Sequence, residues 1–145
     1  YNKVIKKPSN PKRSKYTFAG WYTDSKLTKA WDFNTKIKSG KTLYAKWKKI
    51  SLKQAVISKV QNVSGKKIKV TVKKVSGADG YQIQYSTKSN MKSAKTVTSS
   101  KTTTTISKLS KGKKYYVRVK AYKKDSTGKK VAGKWSKVKN FKVSK

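Results

Sequence analysis

Carboxylates are the scarcest reactive groups in this sequence, and they limit the chemistry it could support. The 145 residues contain four acidic side chains, all aspartate, and no histidine or cysteine. The usual general bases, thiol nucleophiles and metal-binding clusters are therefore missing. Asp24 and Asp32 could form a carboxylate pair for glycosidic chemistry. However, all four aspartates, including Asp79 and Asp125, stand among turn-forming residues, where aspartate commonly accepts hydrogen bonds from nearby backbone amides. The sequence predicts a protein that is not an enzyme and has no cofactor or metal site.

The cations far outnumber these acids and are almost all lysine. The chain carries 40 lysines and arginines, a net charge of +36, and Arg13 and Arg118 are the two arginines. Both ends of the chain are about equally basic, which indicates a uniform coat and predicts a gain in stability from salt or polyanions. Such a coat favours anionic cell-wall polymers, acidic glycans or a host surface protein as partners. It would also attract DNA at low salt, but without a groove-reading element or a localised patch we predict no specific nucleic-acid binding.

A strand-like stretch near the C-terminus combines cations with aromatic rings. Alternation places Tyr116, Arg118, Lys120 and Tyr122 on the outward side of one strand. Trp135 is expected beside them on the neighbouring last strand, where a cation–π stack would contribute about 0.5–1 kcal/mol per contact. These five residues are our candidate ligand-binding site, suited to an anionic glycan. The alternative is a purely structural ladder.

The same stretch, Leu109 to Tyr122, indicates what positions this candidate site. Val117, Val119 and Ala121 alternate with the polar residues, as in a strand with one face in the core. Leu109 precedes Tyr115 by six residues with a glycine between them, the spacing of a tyrosine corner, in which the hydroxyl bonds back to the preceding turn.

Residues 55–145 contain short apolar blocks every eight to twelve residues, which predicts a seven-stranded sandwich. A slip in period between Val138 and Phe141 predicts a bulge in the last strand. This segment resembles a fibronectin type III domain, an immunoglobulin-like β-sandwich, through Tyr81-x-Ile83-x-Tyr85 and the Leu109…Tyr115 stretch. Val72 stands where the family usually has a core tryptophan, so we expect Tyr85 to help fill that space. Thr102–Thr105 is interpreted as a β-branched strand, with glycosylation as the alternative. The predicted strands cover 56–60, 68–72, 81–85, 96–98, 102–106, 115–122 and 138–143.

Residues 1–48 carry a different pattern, followed by a linker over 49–54. The segment resembles the second half of the Listeria–Bacteroides (internalin-type B) repeat through its KPSNP connector, Tyr16–Tyr22, Trp31-Asp32-Phe33 and Leu43–Trp47. The resemblance implies a partial β-grasp-like module that lacks the family's first strand and its Gly-Gly turn. We further expect a strand from Tyr1, a helical turn in 25–33 capped by Asp24, and a strand over 42–47.

The overall expectation is a mainly β chain, a partial β-grasp-like repeat followed by a fibronectin type III sandwich. Both families recur in Gram-positive surface and secreted proteins, which implies an extracellular, cell-wall or secreted location. No apolar run is long enough to span a membrane. We expect a monomeric fragment of a longer protein that serves as a spacer or adhesion module. The alternative is an accessory tail that positions the catalytic domain of a secreted hydrolase.

Overall fold

The computed structural model describes residues 2–145, and within this range the chain is all β with no helix. The predicted mainly β fold class is confirmed. Tyr1, where the predicted N-terminal strand begins, lies outside the described residues. The strands within the described range are β1 (Lys3–Val4), β2 (Tyr16–Tyr22), β3 (Lys36–Ile37), β4 (Tyr44–Lys49), β5 (Ile57–Val63), β6 (Lys67–Val72), β7 (Gly80–Ser86), β8 (Lys95–Ser99), β9 (Thr103–Ile106), β10 (Lys114–Lys124), β11 (Lys130–Ala132) and β12 (Lys139–Lys142).

The chain divides into two compact units. Within the described residues, the first unit extends to Ile50 and also includes Lys124–Lys129, and the second comprises Ser51–Lys123 and Lys130–Lys145. In the first unit β2 and β4 pair antiparallel, β1 pairs with β3, and a bulge interrupts the β2 register. Gly20 at this bulge has a φ of 118°, a conformation that other residues rarely adopt.

Aromatic rings hold the first unit together. The Phe18 ring meets the Trp21 and Trp47 rings edge-on, at centroid distances of 5.4 and 5.7 Å. Among the described residues of this unit, no apolar side chain is buried, and these three are half-buried. Paired ribbons of two strands with so little apolar burial are only marginally stable by themselves.

The helical turn predicted for residues 25–33 is wrong. Leu27 takes a left-handed φ of 57°, which ends any helical path, and Ala30 forms an isolated β-bridge with Tyr22. Asp24 does cap the loop, because its carboxylate accepts hydrogen bonds from the amides of Thr28 at 3.1 Å and Lys29 at 2.9 Å. The strand predicted for 42–47 starts two residues later, at Tyr44, and ends at Lys49.

Asp125 has the strongest set of donors of any carboxylate in the described residues. It is a buried side chain that accepts bonds from the Thr127 hydroxyl and the amides of Lys15, Thr127 and Lys129. The Thr127 hydroxyl and the Lys15 amide lower the pKa of Asp125 to about 2, because these donors stabilise the charged form. The Lys29 amide and the Thr28 hydroxyl likewise lower the pKa of Asp24.

Both carboxylates should therefore make the first unit sensitive to acid. A folded-state pKa below the ordinary value of 3.8 means that the ionised carboxylate stabilises the fold above that pH, and for Asp125 this stabilisation is lost as the pH falls toward about 2. We expect the unit to unfold in this window and Asp125→Asn to flatten the dependence. Tryptophan fluorescence can follow it, since Trp21, Trp31 and Trp47 all lie in this unit. The exposed Asp79 provides the control, and an unchanged acid midpoint in Asp125→Asn would contradict the assignment.

The second unit is a sandwich of two antiparallel sheets. One sheet has the order β5-β6-β9, and the other has the order β11-β10-β7-β8 with β12 also paired to β10. Apolar side chains from both sheets alternate inward and form one buried cluster. Its largest fully buried members are Ile68, Val70, Ile83, Val117, Val119 and Val143. The predicted inward face of β10 is confirmed, since Val117, Val119 and Ala121 are all inaccessible.

The tyrosine corner predicted at Tyr115 is confirmed. Its hydroxyl accepts a 2.9 Å hydrogen bond from the Ser110 amide, and its ring stacks on Phe141 with centroids 5.9 Å apart. Leu109 is buried beneath this turn. Val72 is buried at the position where the family usually has a tryptophan, and Tyr85 packs against the core cluster, as expected.

The last strand differs from the prediction. The strand predicted for 138–143 corresponds to β12, and a short strand that was not predicted, β11, precedes it; both pair with β10, so the sandwich has eight strand segments within the described residues instead of seven. The bulge predicted between Val138 and Phe141 is wrong, because β12 pairs with β10 without a shift of register. Val138 precedes the strand and is 43% exposed, so it does not belong to the set of inward-facing residues from which the slip in period was inferred.

Gly80 opposite Tyr122 gives a direct test of packing in the five-stranded sheet. A Cβ at Gly80 would stand 2.6 Å from both the Ser99 carbonyl oxygen and the Tyr122 hydroxyl. We expect Gly80→Ala to lower the free energy of unfolding of the second unit by about 1–3 kcal/mol, as overpacking does. Gly40→Ala, which adds its methyl group in open space, should leave it unchanged. Equal urea midpoints for the two variants would contradict the packing described.

Candidate functional site

Three of the five predicted site residues form one stack on the outer side of the five-stranded sheet. The Arg118 guanidinium and the Lys120 ammonium each lie 4.4 Å from the centroid of the Trp135 ring. The Arg118 Nε and Nη2 atoms also donate to the side-chain oxygen of Gln84, at 2.9 and 2.8 Å. Gln84 pairs with Arg118 across β7 and β10, so the guanidinium is fixed on one side by an amide and on the other by an indole.

Trp135 is not on a strand, contrary to the prediction. It lies in the segment between β11 and β12, which Ser136 attaches to β10. The Ser136 amide donates to the Val119 carbonyl at 2.7 Å, and its buried hydroxyl accepts from the Val119 amide at 2.9 Å. Gln54 donates to the Trp135 carbonyl at 2.7 Å. These bonds replace the missing strand pairing and hold the indole over the two cations.

The two tyrosines of the predicted site lie outside this stack. Tyr116 is half-buried, with the Lys114 ammonium 5.6 Å from its ring. Tyr122 was expected on the outward face, but it is only 7% exposed. It pairs with Gly80 across the sheet, and the space left by the absent side chain accommodates its ring. The proximity of Arg118, Lys120 and Trp135 is confirmed, whereas ligand binding by the five residues stays a prediction.

Sequence reasoning missed Gln84 and Ser136, which position this stack. The alternation of Ile83 and Tyr85 with Gln84 predicts an outward position for the glutamine, but its pairing with Arg118 depends on a register that only the structure shows. Ser136 carried no signal in the sequence, because its role depends on the interruption between β11 and β12.

Ser136→Ala should measure how much the bonds between Ser136 and β10 contribute to the stability of the second unit and to the position of the Trp135 ring. The change leaves the buried Val119 amide without its hydroxyl partner, which costs about 1–3 kcal/mol in free energy of unfolding. Indole fluorescence and the NMR shifts of the Arg118 side chain should change as the ring leaves its position. Ser89→Ala, in an exposed turn, is the matched control. A variant with wild-type stability and shifts would show that Ser136 does not position the ring.

A groove in the second unit is the second candidate site, and no pattern in the sequence predicted it. It has a volume of about 570 Å³ and lies between the edge strands β8 and β9. Four of its 13 lining residues are lysines, close to the proportion in the whole chain. The groove therefore differs from the rest of the surface in its shape and its floor, and lysine is not concentrated there.

The described residues offer little other chemistry. Residues 2–145 contain no group of three or more metal-ligating side chains. In the same range, no helix has the length and apolar character to cross a membrane. Lys123 and Asp79 approach to 3.5 Å at the surface, a contact of the exposed kind that contributes little to stability.

Solved structures that resemble this chain are fibronectin type III domains. The crystal structure of the chicken CNTN1 FN1–FN3 domains has a TM-score of 0.54 at 20% identity, covering 76% of this chain and 38% of that one. The sixth such domain of human fibronectin type III domain containing protein 3 has a TM-score of 0.53 at 19% identity, covering 67% of this chain and 90% of the domain. At this identity the likeness establishes the fold.

Family models match both parts of the chain. The Listeria–Bacteroides repeat model matches residues 1–46, and the fibronectin type III model matches residues 57–134. Because the second match covers more than half of the sequence, the chain belongs to the fibronectin type III family. It carries a Listeria–Bacteroides repeat before that domain, as predicted. Fibronectin type III domains are generally non-catalytic, which is consistent with a chain that is not an enzyme.

Curated relatives match only a short stretch of this chain. Two proteins of Evansella cellulosilytica, one named as a Gly-rich membrane protein and the other as a membrane protein, are 50% identical over 48 residues and 47% identical over 45 residues. The matches cover 32% and 30% of this chain but 6% and 7% of the relatives. The chain thus spans a small fraction of their length.

Proposed function

We propose that the chain is a non-catalytic spacer or adhesion module of a bacterial cell-surface or secreted protein, held on anionic polymers by its lysine-rich surface. The chain would be located in the cell wall or the extracellular space, where teichoic acid-like polymers and acidic glycans are found. The relatives named as membrane proteins and the pairing of the two families support a surface location.

The excess of lysine carries the proposal. Four carboxylates cannot neutralise 40 cations, so most ammonium groups have no acidic partner within the chain. Exposed lysines stand on both sheets of the second unit, including Lys59, Lys69 and Lys139. A surface of this kind attracts polyanions over a distance of about 10 Å at moderate salt, without a built pocket.

Isolated bacterial cell walls provide the test. We expect the chain to sediment with intact walls and to remain in solution once the anionic wall polymers have been extracted. A variant with Lys67, Lys69 and Lys113 exchanged for glutamate lowers the net charge from +36 to about +30. Its retention on intact walls should be weaker than that of the wild type, because the attraction follows charge. Equal retention on intact and extracted walls would overturn the proposal.

A further inference from the structure

We infer that the groove between β8 and β9 is a binding site for a short anionic saccharide, the repeating unit of an acidic polymer. The inference rests on the proposed function, and it adds a defined site to a coat that is otherwise diffuse. A volume of about 570 Å³ falls within the range of about 300–1,000 Å³ that holds small ligands. The residues of the floor and the rim indicate the chemistry of the ligand.

The floor of the groove is apolar and aromatic. Ile106 and Tyr115 are buried there, and Tyr85 and Val97 are half-buried. The Tyr115 hydroxyl accepts a bond from the Ser110 amide, and this residue contributes a small exposed part of its surface to the groove. The Tyr85 ring stands beside it at a centroid distance of 6.4 Å. Amphipathic rings of this kind suit a ligand with one apolar face and polar edges, such as a sugar ring.

The rim of the groove is cationic. None of the chain's four aspartates lines it, whereas four exposed lysines do: Lys88, Lys92, Lys95 and Lys108. Lys95 pairs with Tyr85 across β7 and β8, so the two side chains share the face of the sheet that is directed toward the groove. An inward lysine on an edge strand also discourages pairing with other chains. That role explains Lys95 alone, and it accounts for neither the aromatic floor nor the ordered loop beside it.

The loop that carries Lys88 and Lys92 is fixed before any ligand arrives. The buried Ser86 hydroxyl donates to the Lys92 carbonyl at 2.8 Å and accepts from the Lys88 amide at 3.1 Å. Asn90 accepts from the Lys92 amide at 2.9 Å. Met91 anchors the loop as a buried side chain with a left-handed φ of 61°. An ordered rim reduces the entropy lost when a ligand binds.

Two triple variants of equal charge test the site in the full chain. One replaces Lys92, Lys95 and Lys108 at the groove with glutamine, and the other makes the same change at Lys53, Lys59 and Lys73, which are exposed and do not line the groove. The probe is trigalacturonate at fixed ionic strength, measured by calorimetry. We expect the groove variant to lose about tenfold or more in affinity and the control less than about threefold, because direct charge contacts exceed screened ones. Polyphosphate of matched charge should show no such difference, since it lacks a sugar face.

Chemical-shift mapping on the wild-type chain gives an answer that does not depend on the variants. With trigalacturonate, the first amides to shift should be those of residues 86–95 and 105–108. Equal weakening by the two triple variants, or first shifts on β5 and β6, would overturn the groove while leaving the lysine coat intact. A larger effect on polyphosphate than on trigalacturonate would assign the groove to phosphate and overturn the saccharide. Absence of binding to every polyanion would overturn the inference and the proposed function together.

Discussion

Ile83→Ala is expected to lower the free energy of unfolding of the second unit by about 2–5 kcal/mol. Ile83 is inaccessible to solvent and lies on β7, which is paired on one side with β10 and on the other with β8. It pairs with Val119 on β10 and with Val97 on β8, so the surrounding backbone has little freedom to collapse into the space left. A cavity that stays open adds its own cost to the lost burial.

This loss would be a large part of the total free energy of unfolding, which is typically about 5–15 kcal/mol for a native protein. Urea unfolding followed through the NMR methyl signals of Val117 and Val119 reports on this unit alone. Val56→Ala is the control, because Val56 is 46% exposed and its truncation should change stability by less than about 0.5 kcal/mol. Similar midpoints for the two variants would contradict the buried, closely packed position of Ile83.

Added salt should raise the stability of the folded chain, and this is the second large effect that we expect. At low ionic strength the +36 charge opposes the compact state through self-repulsion. Raising NaCl from about 20 mM to about 500 mM shortens the Debye length to a few ångströms. A gain of about 1–2 kcal/mol corresponds to a rise of roughly 5–10 °C in the melting temperature of a domain this size.

Differential scanning calorimetry over this salt range measures the effect. The variant with Lys67, Lys69 and Lys113 exchanged for glutamate should start from a higher melting temperature at low salt and gain less from added salt. A wild-type melting temperature that stays constant or falls with salt would mean that repulsion among the lysines does not limit stability.

Local patterns in the sequence predicted the second unit well. The alternation through Val117 and Val119 depends on the period of a strand, which is a property of neighbouring residues. The corner at Tyr115 was predictable because a spacing of six residues brings the hydroxyl back to the turn at Ser110. Both features are set within a few residues of chain, so no knowledge of the other strands was needed.

Features that depend on distant partners were missed. The burial of Tyr122 follows from Gly80 on another strand, and Trp135 owes its place to Ser136 bonding across to β10. Leu27 adopts a left-handed conformation that its residue type does not signal. The groove is assembled from separate segments around β7, β8, β9 and β10, so it exists only once the two sheets are packed together.

The salt dependence of binding to a defined wall-type polyanion tests the central claim most directly. Poly(glycerol phosphate) can be titrated with the wild-type chain at several NaCl concentrations, and the logarithm of affinity plotted against that of salt. We predict a straight, steep decline, with a loss of about 100-fold or more between about 50 and 300 mM, because counterion release drives the association. An affinity that stays unchanged over this range would contradict the electrostatic account.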